Sequence, residues 1–276
     1  MMETNELLDI ERDFVDEIIE LVQKDLPNDE LITQLLEYHP FDIAQAMVQV
    51  DATIQSKLFD MLPVDLLAQV FERLEDSDQI EFIKQIPTAL AIQIIDHMDS
   101  DDAVDLLQYL EDVDEDYTLV NLLSPKKRNE LKKLWAYEDD EIGSAMSLSY
   151  IELARAMSVK EAMKKVTQLA GETEYISILY VVEKQKLVGY LRLKDLIIAR
   201  ATQTIDEIME SRIIFAHPHD NKEHVATLIQ KYGVSSLPIV DDNEHMIGLI
   251  TYDDLMDIIT ESKSDDYAKF AALTTG

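Results

Sequence analysis

Two stretches of this chain are copies of one another, and that duplication limits its fold more than any other feature. YISILYVVEKQKLVGYLRLKDLI (175–197) and SSLPIVDDNEHMIGLITYDDLM (235–256) align so that Gly189 meets Gly248 and Asp195 meets Asp254, both 59 residues apart without a gap. Each alternates apolar and polar residues as strands do, and the first has a turn at Glu183–Lys186. An amphipathic helical pattern precedes each copy, at 158–170 and 220–232. Self-similarity of this length predicts two tandem helix–strand–strand–helix units of about 60 residues each.

The first half repeats with a shorter period. PFDIAQAM (40–47), PVDLLAQV (63–70) and PTALAIQI (87–94) begin on prolines 23 and 24 residues apart. Between them lie DATIQSKLFDML (51–62), DSDQIEFIKQI (76–86) and DSDDAVDLLQYL (99–110). Each unit predicts a short helix pair, opened by Pro at the first helical position or by an Asp/Ser cap. Helices this short cannot bury a face alone, so they must stack as a small superhelix. A basic helix up to Trp135 and an acidic linker, Glu138 to Glu141, follow. The expected class is therefore α + α/β, an N-terminal all-α superhelical repeat domain and then an α/β pair. The expected bounds are 1–136 for the helical domain, 137–205 for the linker and first α/β unit, 206–264 for the second, and 265–276 for the start of a connecting helix.

Charge is distributed unevenly between these halves. The chain of 276 residues carries a net charge of −32. Residues 1–142 hold 36 acidic and 10 basic residues, a balance of −26, against −6 for residues 143–276. Nucleic-acid binding is disfavoured because phosphate contacts need Lys and Arg. Anionic membrane surfaces are disfavoured for the same reason. Cations and basic partners remain. There is no cysteine, which excludes a disulfide framework and thiolate chemistry. No run of 18 apolar residues offers a transmembrane helix.

Enzyme motifs are missing. The six glycines build neither G-x-G-x-x-G nor a Walker A loop, and there is no G-x-S-x-G elbow. His217-Pro-His219 with His224 is the single histidine cluster; with no cysteine or companion motif it reads as solvated imidazoles before a helix. Carboxylates are the chemistry that remains. On a helix over 99–110, Asp101 and Asp105 (i, i+4) and Asp102 and Asp105 (i, i+3) share a face. Asp254 and Asp257, and Asp253 and Asp257, do so in TYDDLMDII, and Glu223 sits in the first turn of the helix beginning near Asp220. Oxygen donors without sulfur or imidazole suit magnesium, calcium or manganese. Each of these acids also fits a helix cap or first turn, where it complements the dipole. A balance of −26 over 142 residues exceeds what caps need. Two unit charges about 4 Å apart repel by roughly 4 kcal/mol at an effective dielectric near 20, so a compact form of such faces calls for cations.

YGVSSLPIVDD (232–242) and GLITYDDL (248–255) resemble the marks of tandem CBS (cystathionine-β-synthase-type) domains. The first copy, GYLRLKDL (189–196), has Arg192 where that family has Thr or Ser. An acidic helical repeat, a linker like YEDDEIGSAMSLSYIEL (137–153) and then a CBS pair together resemble the cytosolic region of MgtE-type magnesium transporters over nearly the whole chain. Where that family's linker reads Gly-Gly-x-Met-Thr, this chain has Gly143-Ser144-Ala145-Met146-Ser147.

The resemblance implies metal ligands at Asp101 and Asp105 of the helical domain and at Glu223, Asp254 and Asp257 of the CBS pair, with Asp265 and Asp266 near the exit helix; Asp102 joins them by its spacing. Gln69 and Gly233 stand where the family carries acids, and Asn221 stands in place of an Asp. It also implies a homodimer through the CBS domains and a C-terminal transmembrane pore domain beyond Gly276. CBS pairs bind adenine nucleotides such as ATP, which assigns Thr251 with Asp254, and Lys194 with Asp195, to a nucleotide. The expected function is Mg2+ sensing on the cytoplasmic side of the cell membrane. Ions bridge facing carboxylates in a compact dimer, and their loss lets repulsion open the pore. The alternatives are an adenylate-sensing module controlling a partner, and an acidic scaffold for a basic partner.

Overall fold

The computed structural model describes residues 13–113, 119–171, 173, 175–256 and 258–259. The chain divides into two compact units between Arg128 and Asn129.

The first unit is helical: α1 (Phe14–Val22), α2 (Asn28–Leu35), α3 (Pro40–Gln49), α4 (Ala52–Met61), α5 (Val64–Phe71), α6 (Asp76–Gln85), α7 (Thr88–His97) and α8 (Ser100–Val113). The next helix, α9 (Pro125–Leu134), spans the division. Contacts join alternate helices, α1 to α3, α3 to α5, α5 to α7 and α6 to α8, as stacked helix pairs require. Pro40 takes the first helical position as expected, capped by His39, whereas Pro63 and Pro87 stand one residue earlier, at the N-cap. Neither position asks for the N–H that proline lacks, so the start signal survives the shift. The apolar stripes meet in a core that includes Phe59, Phe71 and Phe82, whose ring centroids lie 5.3–6.4 Å apart.

A second regularity lies in the turns between helices. Gln55, buried, donates through Nε2 to the carbonyls of Met47 and Val50 at 2.9 and 3.2 Å. Gln79 does the same to Phe71 and Leu74 at 2.8 and 3.3 Å, 24 residues on. In each case the amide closes carbonyls left open where the preceding helix ends. The third repeat has Ala103 at the equivalent place, and there Lys127 of α9, only 5% exposed, donates its ammonium to the Met98 carbonyl instead. Gln79→Ala leaves two buried carbonyls without this donor and should cost about 1–3 kcal/mol in urea unfolding of the helical unit; a loss no larger than that of an exposed Gln→Ala change would show that water replaces the amide.

The second unit holds the duplicated α/β segments. In the first copy, β1 (Glu152–Ala154) pairs in parallel with β2 (Ile178–Glu183), which pairs antiparallel with β3 (Lys186–Arg192). Helices α10 (Val159–Leu169), α11 (Leu193–Ile198) and α12 (Ile205–Ile208) accompany it, the first opened by a capping box of Ser158 and Glu161. In the second copy, α13 (Lys222–Tyr232) precedes an antiparallel pair, β4 (Ser236–Val240) and β5 (Met246–Thr251), and Ala216 bridges in parallel to Ile239 where the first copy has a full strand. Both hairpins have a bulge next to the residue opposite the matched glycine, Val181 opposite Gly189 and Ile239 opposite Gly248. Those glycines are there for room. A Cβ on Gly189 would come within 2.5 Å of the Glu210 carbonyl oxygen, and one on Gly248 within 2.6 Å of Met146 Sδ.

Met146 belongs to the linker, which lies along the second copy. Gly143 N–H donates to the Pro218 carbonyl and Ile142 N–H to that of Asp220, both at 2.8 Å. Ser147 and Leu249 exchange backbone bonds at 2.8 and 3.0 Å. Among the described residues no helix is long and apolar enough to cross a membrane.

Candidate metal centre and ligand cavity

The end of α5 and the start of α8 bring three carboxylates together in the helical unit. Glu72 is the C-cap of α5, Asp99 directly precedes α8, and Asp102 lies in its first turn. Oxygens of all three lie within 4.8 Å of one another. The Asp99 N–H donates to Glu72 Oε1 at 2.8 Å, which fixes the α5 end against the α8 start. Burial, and secondarily the charge of Asp99, push Glu72 up to about 7. Burial also raises Asp102 well above the usual carboxylate range, followed by Glu72, Asp99 and Asp105. Arg73 opposes both shifts and Lys127 opposes that of Glu72, but neither cation cancels them.

This donor set fits a hard divalent cation. It offers carboxylate oxygens from two elements with no sulfur or imidazole, and Mg2+, which keeps several of its waters, needs one or two such groups. Bound there, the ion would supply the positive charge that three crowded carboxylates lack.

Of the ligands expected from sequence, Asp102 joins this cluster. Asp101 lies beside it in the first turn of α8, and Asp105 stands one turn further on, exposed but close enough to act on Asp102. Glu223 is exposed in the first turn of α13, its N–H bonded to Asn221 Oδ1 at 3.1 Å. Asn221, which replaces an expected acid, is the N-cap of that helix, and Gly233, which replaces another, is its left-handed C-cap at φ 61°. Gln69 is exposed on α5. Asp254 caps the helix that opens at residue 252: its Oδ2 accepts from the Thr251 N–H at 2.7 Å and the Thr251 hydroxyl at 2.8 Å. Asp257, Asp265 and Asp266 lie outside the described residues. The histidines do not gather. His219 Nδ1 meets Glu141 at 2.7 Å, and His217 Nδ1 meets the Val240 carbonyl at 3.1 Å.

Glu72 and Asp99 were not foreseen. Helical spacing finds partners on one helix only, whereas this cluster joins the end of one helix to the start of another.

A cavity of about 340 Å³ opens in the second unit between the two copies. The β2 start and the β3 end form one wall with Ile178, Tyr180, Tyr190 and Arg192. The segment from Arg212 to Ile214 and the stretch from Tyr232 through Pro238 form the rest. The Tyr180 and Ser236 hydroxyls, 2.7 Å apart, tie the copies together at its wall. Arg192 Nε donates to Asp195 Oδ2 at 2.6 Å. Of the expected nucleotide residues, Asp195 therefore reaches this cavity through Arg192, while Lys194 is exposed on α11 and Thr251 is buried in the cap.

Residues 38–140 match the MgtE intracellular N domain, and residues 141–202 and 205–261 each match the CBS domain. The magnesium transporter MgtE of Thermus thermophilus is 36% identical over 242 residues, which are 87% of this chain and 54% of that protein. The one from Bacillus subtilis is 29% identical over 86% of this chain and 52% of its own length. The chain thus spans about half the length of these relatives. Among solved structures, the soluble part of a magnesium transporter superposes with a TM-score of 0.84 at 28% identity, covering 90% of this chain and 99% of its own. The cytosolic domain of the Mg2+ channel MgtE in complex with ATP superposes at 0.81 with 30% identity, covering 88% and 99%.

Proposed function

The chain belongs to the MgtE family, carrying its intracellular N domain followed by a CBS pair, and from that premise we propose that it is the Mg2+-sensing cytosolic part of a magnesium transporter. It works on the cytoplasmic side of the cell membrane, as a homodimer through the CBS domains, and transmits its state to a transmembrane pore domain. The observation that carries this reading is the convergence of Glu72, Asp99 and Asp102, in which burial and neighbouring carboxylates disfavour the charges of Glu72 and Asp102. Mg2+ held by acids of the helical domain, with Asp101 and Asp105 beside the cluster, and by Glu223, Asp254, Asp257, Asp265 and Asp266 of the CBS pair, favours a compact closed state. Each site contributes only as far as it binds that state better than the open one, and several weak sites add up. When Mg2+ falls, repulsion drives the acidic faces apart and the pore opens. The role is regulatory and involves no catalysis.

Small-angle scattering and limited proteolysis, with EDTA and with millimolar Mg2+, test this. Mg2+ should shrink the radius of gyration and protect the linker around Glu138–Glu141 from cleavage. Asp101→Asn with Asp105→Asn should blunt both responses. An unchanged radius together with an unchanged cleavage pattern would remove the switch.

A second reading adds an adenine nucleotide. The cavity between the CBS copies supports it, since its volume lies in the range of small-molecule pockets and its wall combines aromatic rings, hydroxyls and cations. A relative with 30% identity is described in complex with ATP. Calorimetry with ATP, ADP and AMP in EDTA separates a nucleotide response from one that needs Mg2+.

A further inference from the structure

Among the described residues, Lys127 is the one charged side chain whose surface is buried, 5% exposed, and it lies in the first turn of α9. A buried ammonium is unfavourable unless anions or carbonyls receive it. Its Nζ donates to the Met98 carbonyl and lies 3.4 Å from Ser100 Oγ, so it is held by the residues on either side of Asp99. Its backbone is fixed as well. The Lys127 N–H donates to Ser124 Oγ at 3.2 Å, and the Ser124 N–H donates to Asp96 Oδ1 of α7 at 3.0 Å. The ammonium thus stands at the start of α8, which brings Asp99 and Asp102 to the carboxylate cluster, and its charge reaches Glu72. Closing a carbonyl does not need a charge. Gln55 and Gln79 close theirs with neutral amides in the two preceding copies. The charged donor comes in the copy that holds the three-carboxylate cluster, and among the described residues no other such cluster forms.

From this coincidence we infer that Lys127 is the built-in counter-ion of the cluster and sets the Mg2+ concentration at which the cluster fills. The inference rests on the reading above, that Glu72, Asp99 and Asp102 hold Mg2+. Without the ion, the ammonium offsets part of the carboxylate charge and helps to keep the end of α5 against the start of α8. With the ion bound, the same ammonium faces a divalent cation of like sign. Its contacts to Met98 and Ser124 keep it from withdrawing far. The repulsion weakens binding and moves the half-filling point to higher Mg2+. Because both charges are partly buried, salt screens this effect less than it screens a surface pair. Lys127 therefore makes the cluster respond to abundant Mg2+ and stay empty at trace levels.

Isothermal titration of the full chain with MgCl2 at pH 8 tests this, and the heat that Glu72→Gln removes is the share of the cluster. At this site Lys127→Ala should bind Mg2+ at least about tenfold more tightly than the wild type, a modest fraction of the force of one neighbouring charge on a divalent ion. A purely structural lysine predicts the opposite sign, since an open Met98 carbonyl would loosen the start of α8 and weaken binding. A second variant separates the two roles. Ala103→Gln with Lys127→Ala places an amide where Gln55 and Gln79 stand in their copies. It should recover the urea midpoint lost in Lys127→Ala and keep the tightened Mg2+ affinity. Lys127→Arg, which keeps the charge, should stay closer to the wild type than either. Mg2+ affinity unchanged or weakened in both Lys127→Ala proteins would overturn the counter-ion role and leave the Mg2+ reading of the cluster intact. Identical Mg2+ heats in the wild type and in Glu72→Gln would overturn both.

Discussion

In a Mg2+-free buffer at pH 8, Glu72→Gln should be more stable than the wild type, and the difference should vanish near pH 4. Glu72 has its folded-state pKa raised from 4.5 to about 7. A carboxyl raised in this way favours folding while it is protonated. That contribution is present below about 4.5 and is lost as pH rises through about 7, because the folded protein must then ionise a group that the unfolded chain ionises freely. Glutamine keeps an oxygen for the Asp99 N–H and carries no charge, so it escapes this penalty. The gain is at most about 3 kcal/mol, from 1.36 kcal/mol per pKa unit, and partial solvent access reduces it. Millimolar Mg2+ should stabilise the wild type more than Glu72→Gln, so that the two curves approach one another. Urea titrations at pH 4 and pH 8, each with EDTA and with Mg2+, measure all of this. A wild type more stable than Glu72→Gln at pH 8 in EDTA would show that the cluster is already neutralised by its own surroundings.

Phe71→Ala should cost about 3–5 kcal/mol, the range for a buried aromatic side chain lost without replacement. Phe71 is fully buried beside Phe59 and Phe82, so its removal leaves a cavity bordered by rings that cannot close it without leaving their own positions. The two compact units predict separate transitions in calorimetry. The loss should fall on the helical transition, while that of the CBS pair keeps its temperature. One transition moving as a whole would show that the units unfold together.

The parts of this fold that were legible in the sequence are those in which one residue answers to one local demand. Gly189 and Gly248 match because each lies against atoms that leave no room for a Cβ. The prolines at 40, 63 and 87 announce helix starts because a helix start is where proline costs least. The turn between β2 and β3 was located from its flanking strands, not from its own residues. Lys184 and Gln185 both take positive φ, at 50° and 70°, where Asn-Gly would be the usual signal. The site was less legible because its groups come from different elements. Asp101, Asp102 and Asp105 could be found by counting along one helix. Glu72 lies 27 positions before Asp99 and meets it only because the fold brings the end of α5 to the start of α8. Arg192 was visible as a departure from a family motif. That it lines a cavity together with Arg212, twenty residues on, was not visible. Asp254 looked available to a ligand in the sequence, and in the fold its Oδ2 is engaged in closing a helix start.

The buried side-chain donors of the helical unit also govern how such an array can change length. Gln55 and Gln79 are carried by the helix that follows the carbonyls they close, so a whole 24-residue copy spliced in after α6 would arrive with its own closure. The last copy differs. Its Met98 carbonyl is closed from downstream, by Lys127 of α9. Lengthening the array is therefore tolerable anywhere before that point, whereas cutting the chain between α8 and α9 leaves an open carbonyl in an apolar setting. The lysine is the terminus marker of the array, and it ties the length of the superhelix to the presence of what comes after it.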